Sequence, residues 1–126
     1  MIKTTLLEVL ETITIMDKII QQPLQGSLAL KVARLAREAN KEIETFYEVR
    51  YKILNKYCEH TPDGKLMQDE NGNAKVKEEF INQCNDELQS LINTVIQINA
   101  EPLPCTLLDH LTLTAQEARQ IQIFFE

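Results

Sequence analysis

The chain has 126 residues, is 44% hydrophobic and 25% charged, and carries a formal net charge of −6. That length suits one domain over residues 1–126, and the apolar content is too high for a disordered chain. The acidic balance argues against general nucleic-acid binding, which needs a surplus of Lys and Arg on one face, and more weakly against an anionic membrane surface. With no Trp and few aromatics, the core must be built mainly from Leu, Ile and Val.

The first segment reads as an amphipathic helix over residues 2–21. Ile2, Leu6, Val9, Ile13, Met16 and Ile20 recur at steps of three and four, and Leu7 and Leu10 widen the stripe. Thr5 followed by Glu8 has the spacing of a capping box. The β-branched run from Thr12 to Ile15 weakens the local propensity, so packing must hold it. Pro23 stops the helix near Gln21.

Residues 27–58 contain neither proline nor glycine. Leu28, Val32, Leu35, Ala39, Ile43, Phe46, Arg50, Ile53 and Tyr57 fall on one side at helical spacing. The resulting helix is about 45 Å long at 1.5 Å per residue. That exceeds what a domain of this size needs, so it is either the spine for the other elements or pairs in part with another subunit. Glu38, Lys41, Glu42, Glu44 and Glu48 sit mostly on the opposite, solvated side.

Thr61-Pro62-Asp63-Gly64 ends this helix. Residues 65–68 and 74–76 then read as the arms of a small β-hairpin around Asp69-Glu70-Asn71-Gly72-Asn73, because Asn-Gly tolerates the positive φ of a tight turn. A helix over residues 77–92 follows, with Phe80, Ile81, Cys84, Leu88, Leu91 and Ile92 on its apolar face. Residues 94–98 alternate and are β-branched, which favours a strand that extends the hairpin to three. Past the connector Glu101-Pro102-Leu103-Pro104, residues 106–111 have no clear signature. The last helix covers residues 115–125, opened by a second capping box at Thr114 and Glu117 and a hydrophobic staple of Leu113 and Ala118. The expected class is mainly α with a small β element: a long central helix and two or three shorter ones.

Motifs for chemistry are sparse. The acidic turn at 69–73 misses calcium-loop spacing, since its glycine falls at loop position four and Phe80 stands at position twelve. Cys58, Cys84 and Cys105 are widely spaced, odd in number and preceded by no secretion signal, so reduced thiols are expected. Cys58 and His60 form one mixed pair with no second pair to complete a zinc site. A site assembled from Cys58, His60, Cys105 and His110 is conceivable but has no local motif behind it. No phosphate loop or serine elbow is present, and the paired carboxylates at 78–79 and 86–87 read as solvated helix faces. No apolar run reaches membrane-span length. The chain is therefore expected not to be an enzyme and to need no cofactor or metal.

Two groups point to partner binding. Lys31, Arg34, Arg37 and Lys41 make a basic patch interrupted by Glu38. Tyr47, Arg50 and Tyr51 lie in the aromatic-rich part of the long helix, and Tyr and Arg are over-represented at interface hot spots.

The run Glu44-Thr45-Phe46-Tyr47-Glu48-Val49-Arg50-Tyr51-Lys52-Ile53-Leu54-Asn55-Lys56-Tyr57 resembles an uncharacterised family of small phage and prophage proteins, found mainly in viruses of Gram-positive bacteria. The similarity continues through Asp69 to Gly72, the helix of residues 80–91, a β-branched strand and the Leu113-Thr114 step into a terminal helix. The chain departs from the family in its Gln21-to-Gly26 entry to the long helix and in the two prolines and cysteine at 102–105. The resemblance implies a phage gene product acting in a host bacterial cytoplasm or in a virion, with no activity to carry over. The expected function is protein–protein contact, as a self-assembling homo-oligomer or a virion or assembly component. The alternative is an inhibitor that binds a host defence system or enzyme.

Overall fold

The computed structural model describes residues 1–126. It is predominantly helical with one two-stranded antiparallel sheet. In chain order the elements are β1 (Ile2–Thr5), α1 (Leu6–Glu11), α2 (Ile13–Ile20), α3 (Gly26–Tyr57), α4 (Ile81–Ile92), β2 (Val95–Ile98) and α5 (Ala115–Ile121). Short 3-10 segments occupy Glu78–Phe80, Cys105–His110 and Gln122–Phe124. No helix is long and apolar enough to cross a membrane.

The chain packs as two compact units, one made of Met1–Ile43 with Thr94–Glu126, the other of Glu44–Asn93. Helix α3 supplies its residues 26–43 to the first and 44–57 to the second.

The first unit closes on the sheet. β1 and β2 pair antiparallel with Ile2 opposite Ile98 and Thr5 opposite Val95. Residues 2–5 were expected to open the first helix; they are a strand instead. Ile2 and Thr4 face inward while Lys3 points out, and Ile2 with Leu6 satisfies period two and period four equally, so only the distant partner decides. The helix begins where the sequence places its cap: Thr5 has extended backbone, its hydroxyl accepts from the Glu8 N–H, and the Glu8 carboxylate accepts from the Thr5 N–H. The expected single helix also breaks at Thr12. The buried Thr12 hydroxyl donates to the Val9 carbonyl at 2.6 Å, a local bond that competes with helix continuation. Val9, Ile15, Met16 and Ile19 from α1 and α2 then pack with Val32, Leu35 and Ala39 of α3 and with Leu103, Leu107, Ile121 and Phe124 of the C-terminal segment. The C-terminal capping box at Thr114 and Glu117 forms as read, and Glu117 also takes an ion pair from Lys18 of α2 at 3.1 Å.

The second unit has a smaller core of Leu54, Tyr57, Cys58 and Cys84, with Ile53, Leu66, Val76, Phe80 and Leu88 packed around it. The hairpin survives only as isolated bridges, Gln68 with Ala74, His60 with Leu66 and Cys58 with Val76. Its third partner is not residues 94–98 but the chain leaving α3. Three backbone bonds close a ring: Met67 N–H donates to Glu59 O at 2.8 Å, Lys75 N–H to Met67 O at 2.8 Å and Glu59 N–H to Lys75 O at 2.9 Å. The turn chemistry is as expected. Gly64 and Gly72 hold φ of 87° and 80°, and Asp69 Oδ1 accepts from the N–H groups of Asn71 at 2.9 Å and Asn73 at 3.0 Å. The Asp69 carboxylate thus fastens the turn.

Candidate interaction surface

The five residues read as partner-binding fall in different units. Arg34 and Arg37 belong to the first unit, and Tyr47, Arg50 and Tyr51 to the second.

In the second unit, the core-facing side of α3 buries Phe46, Leu54 and Tyr57. Tyr47 and Tyr51 stand one turn apart, each 54% exposed. The Tyr47 ring leans on Phe46 with centroids 5.3 Å apart and planes tilted by 58°, so a buried neighbour fixes its position. Arg50, read as a member of the apolar stripe, is exposed. Its guanidinium lies close enough to the Cys58 and Cys84 thiols to pull both downward, but desolvation outweighs it and both thiols are pushed up. Each is essentially inaccessible and protonated at neutral pH, the state of a core thiol rather than a nucleophile.

Neighbouring contacts on this unit were not legible in the sequence. The Tyr57 hydroxyl donates to Glu87 Oε1 at 2.9 Å, Lys56 Nζ reaches the same oxygen at 3.2 Å, and Lys56 Nζ sits 4.8 Å from the Tyr57 ring centroid. The Tyr57 hydroxyl, and then Lys56, hold the Glu87 carboxyl below the usual carboxylate range. A shallow cleft of about 610 Å³ is lined by Glu59, Lys77, Glu78 and Glu79. Glu59 Oε2 lies 3.2 Å from Lys75 Nζ, an ion pair whose angle does not make a hydrogen bond.

In the first unit, Lys31, Arg34, Arg37 and Glu38 form one wall of a cleft of about 450 Å³ that Asn99 and Glu101 also line. Glu38 is held by Lys41 at 2.9 Å and more loosely by Arg37 at 3.9 Å. These pairings stay within α3 rather than joining it to other helices.

The scattered Cys and His residues divide between the units as well. His60 Nε2 contacts Asn55 Oδ1 at 2.7 Å beside buried Cys58. Cys105 and His110 bound a 3-10 segment of the first unit, where the Cys105 thiol donates to the Glu126 carbonyl. No three His, Cys, Asp or Glu side chains converge in a way that could hold a metal ion.

Comparison with known proteins returns nothing similar: no family model matches the chain, nor does any curated protein or solved structure.

Proposed function

We propose that this chain is a non-enzymatic protein that works through protein–protein contacts, assembling with copies of itself as a phage-encoded component of a bacterial cytoplasm or a virion. The observation that carries the reading is the pair Tyr47 and Tyr51, half-exposed one turn apart on α3 and flanking Arg50. Tyrosine presents a large amphipathic surface with only two side-chain torsions to fix, which is why it concentrates where proteins bind one another. Phe46 anchors the Tyr47 ring from below, lowering the ordering cost further. The phage context rests on the resemblance of residues 44–57 and the elements after them.

The test is sedimentation velocity on wild type and on the double variant Tyr47→Ala/Tyr51→Ala. Wild type should sediment as an oligomer and the variant as a smaller species with unchanged helical content. A wild-type monomer would redirect the tyrosine pair to a different protein. An oligomer indifferent to the substitutions would remove the tyrosines from the contact.

A further inference from the structure

We propose that copies of this chain associate head to tail, the acidic cleft in the second unit of one copy docking on the basic cleft in the first unit of the next. The proposal rests on the self-association reading above and names surfaces that reading does not use.

The basic cleft concentrates cations in a chain that is acidic overall. Lys31, Arg34 and Arg37 follow one another every three residues along α3 and line the same cleft. Like charges at that spacing destabilise a helix rather than support it. Of the two carboxylates at the cleft, Glu38 is already neutralised by Lys41 at 2.9 Å. What remains is a cationic surplus with room for an anionic side chain.

The acidic cleft is its counterpart. Glu59, Glu78 and Glu79 line it against the single Lys77, and Lys75 offsets Glu59 at 3.2 Å. Glu78 and Glu79, at the start of the 3-10 turn before α4, then outnumber Lys77 and leave the cleft net negative. A nucleic acid fits the basic cleft poorly, because Glu101 stands in its wall and the whole chain is at −6, which repels a long polyanion. A discrete carboxylate pair on a folded surface is smaller than a polyanion and needs only Lys31, Arg34 and Arg37 beside it, and each copy carries one.

Two different patches on one chain make a heterologous contact, which continues from copy to copy until it closes as a ring or runs on as a filament. Both clefts are open and lined by charged side chains, so the contact is sensitive to salt and contributes more to encounter and orientation than to tight holding.

The experiment mixes two charge-reversed proteins. Arg34→Glu/Arg37→Glu turns the basic cleft acidic, and Glu78→Lys/Glu79→Lys turns the acidic one basic. By light scattering, wild type should associate at least about tenfold more weakly in about 0.5 M salt than in about 0.05 M. Each reversed protein alone should show the same loss at low salt, and an equimolar mixture should regain wild-type association, because every cleft then meets one of opposite sign. The glutamine versions at the same four positions, checked by circular dichroism, stand in if either reversal misfolds. Wild-type oligomers that ignore salt and both reversals overturn the docking while leaving self-assembly in place. A wild type that is monomeric throughout overturns self-assembly and the docking with it.

Discussion

The two units of this chain are held together in different ways. The first buries fourteen residues in one cluster, nearly all aliphatic, gathered from both ends of the sequence. The second has a cluster of four and depends on directional contacts: the ring of backbone bonds joining Glu59, Met67 and Lys75, the Asp69 turn, and the hydroxyl of Tyr57 on Glu87. Burial of apolar area is non-directional and accumulates with each side chain. A set of hydrogen bonds at a solvent boundary contributes less and opens more readily. The first unit should therefore set the global stability, and the second should open below it.

The largest effect tests the first half of that contrast. Phe124 is fully buried in the larger cluster, so Phe124→Ala should lower stability by about 3–5 kcal/mol in a denaturant titration. A cost under about 1 kcal/mol would mean that this cluster does not carry the fold.

Leu54→Ala, in the smaller cluster, should cost about 2–3 kcal/mol. Its signature is local: hydrogen exchange should quicken across residues 44–93 while the amides of β1, β2 and α5 keep their protection. Uniform acceleration over the whole chain would show one cooperative body and erase the contrast.

Titration sharpens it from another side. Burial raises the folded-state pKa of Cys58 and Cys84 above the ordinary thiol value, so the unfolded chain releases their protons first. Their contribution to stability is complete below the unfolded thiol pKa and is lost as pH rises through the folded one. Alkali should loosen the second unit, and substituting both cysteines with alanine should flatten that alkaline dependence. In acid the sign reverses. Glu117 in the first unit, lowered by the Thr114 N–H and then by Lys18, and Glu87 in the second both have depressed pKa values. Each contribution is present above the unfolded carboxylate pKa and is lost as pH falls through the folded value, so both units should weaken together below about pH 4–5. Alkaline weakening that persists without the cysteines would assign it to other groups.

The smallest effect is a gain. Thr4 Oγ1 is buried with no hydrogen-bond partner. Thr4→Val keeps the shape and removes the orphaned hydroxyl, and should stabilise the first unit by about 1 kcal/mol in the same denaturant titration.

The sequence made local features legible and long-range ones not. The bounds of α3 fall within a residue of those read from its unbroken periodicity, and both capping boxes form, because all the groups involved lie within a few residues of one another. The strand at 94–98 was legible from its β-branched alternation, but its partner was not: pairing Ile2 with Ile98 joins residues far apart in the sequence, and no spacing rule reaches that far. The first helix was over-extended at Ile2 because a four-residue strand and one helical turn share an apolar pattern, and it was joined across Thr12 because the hydroxyl bond to Val9 O leaves no mark on that pattern. At the candidate surface, helical periodicity put Phe46 inside and Tyr47 and Tyr51 outside, as the fold has them. It put Arg50 with the buried stripe, because periodicity reports direction along α3 and not what covers that direction. The two charged clefts needed residues from separate segments, so Lys31 and Asn99, or Glu59 and Glu79, were never candidates together.

The most direct test is the solution mass of the wild-type protein, measured by light scattering across a concentration series. A mass that rises above one chain as concentration increases is expected if the tyrosine surface of α3 meets another copy. A mass that stays at one chain throughout would contradict self-assembly.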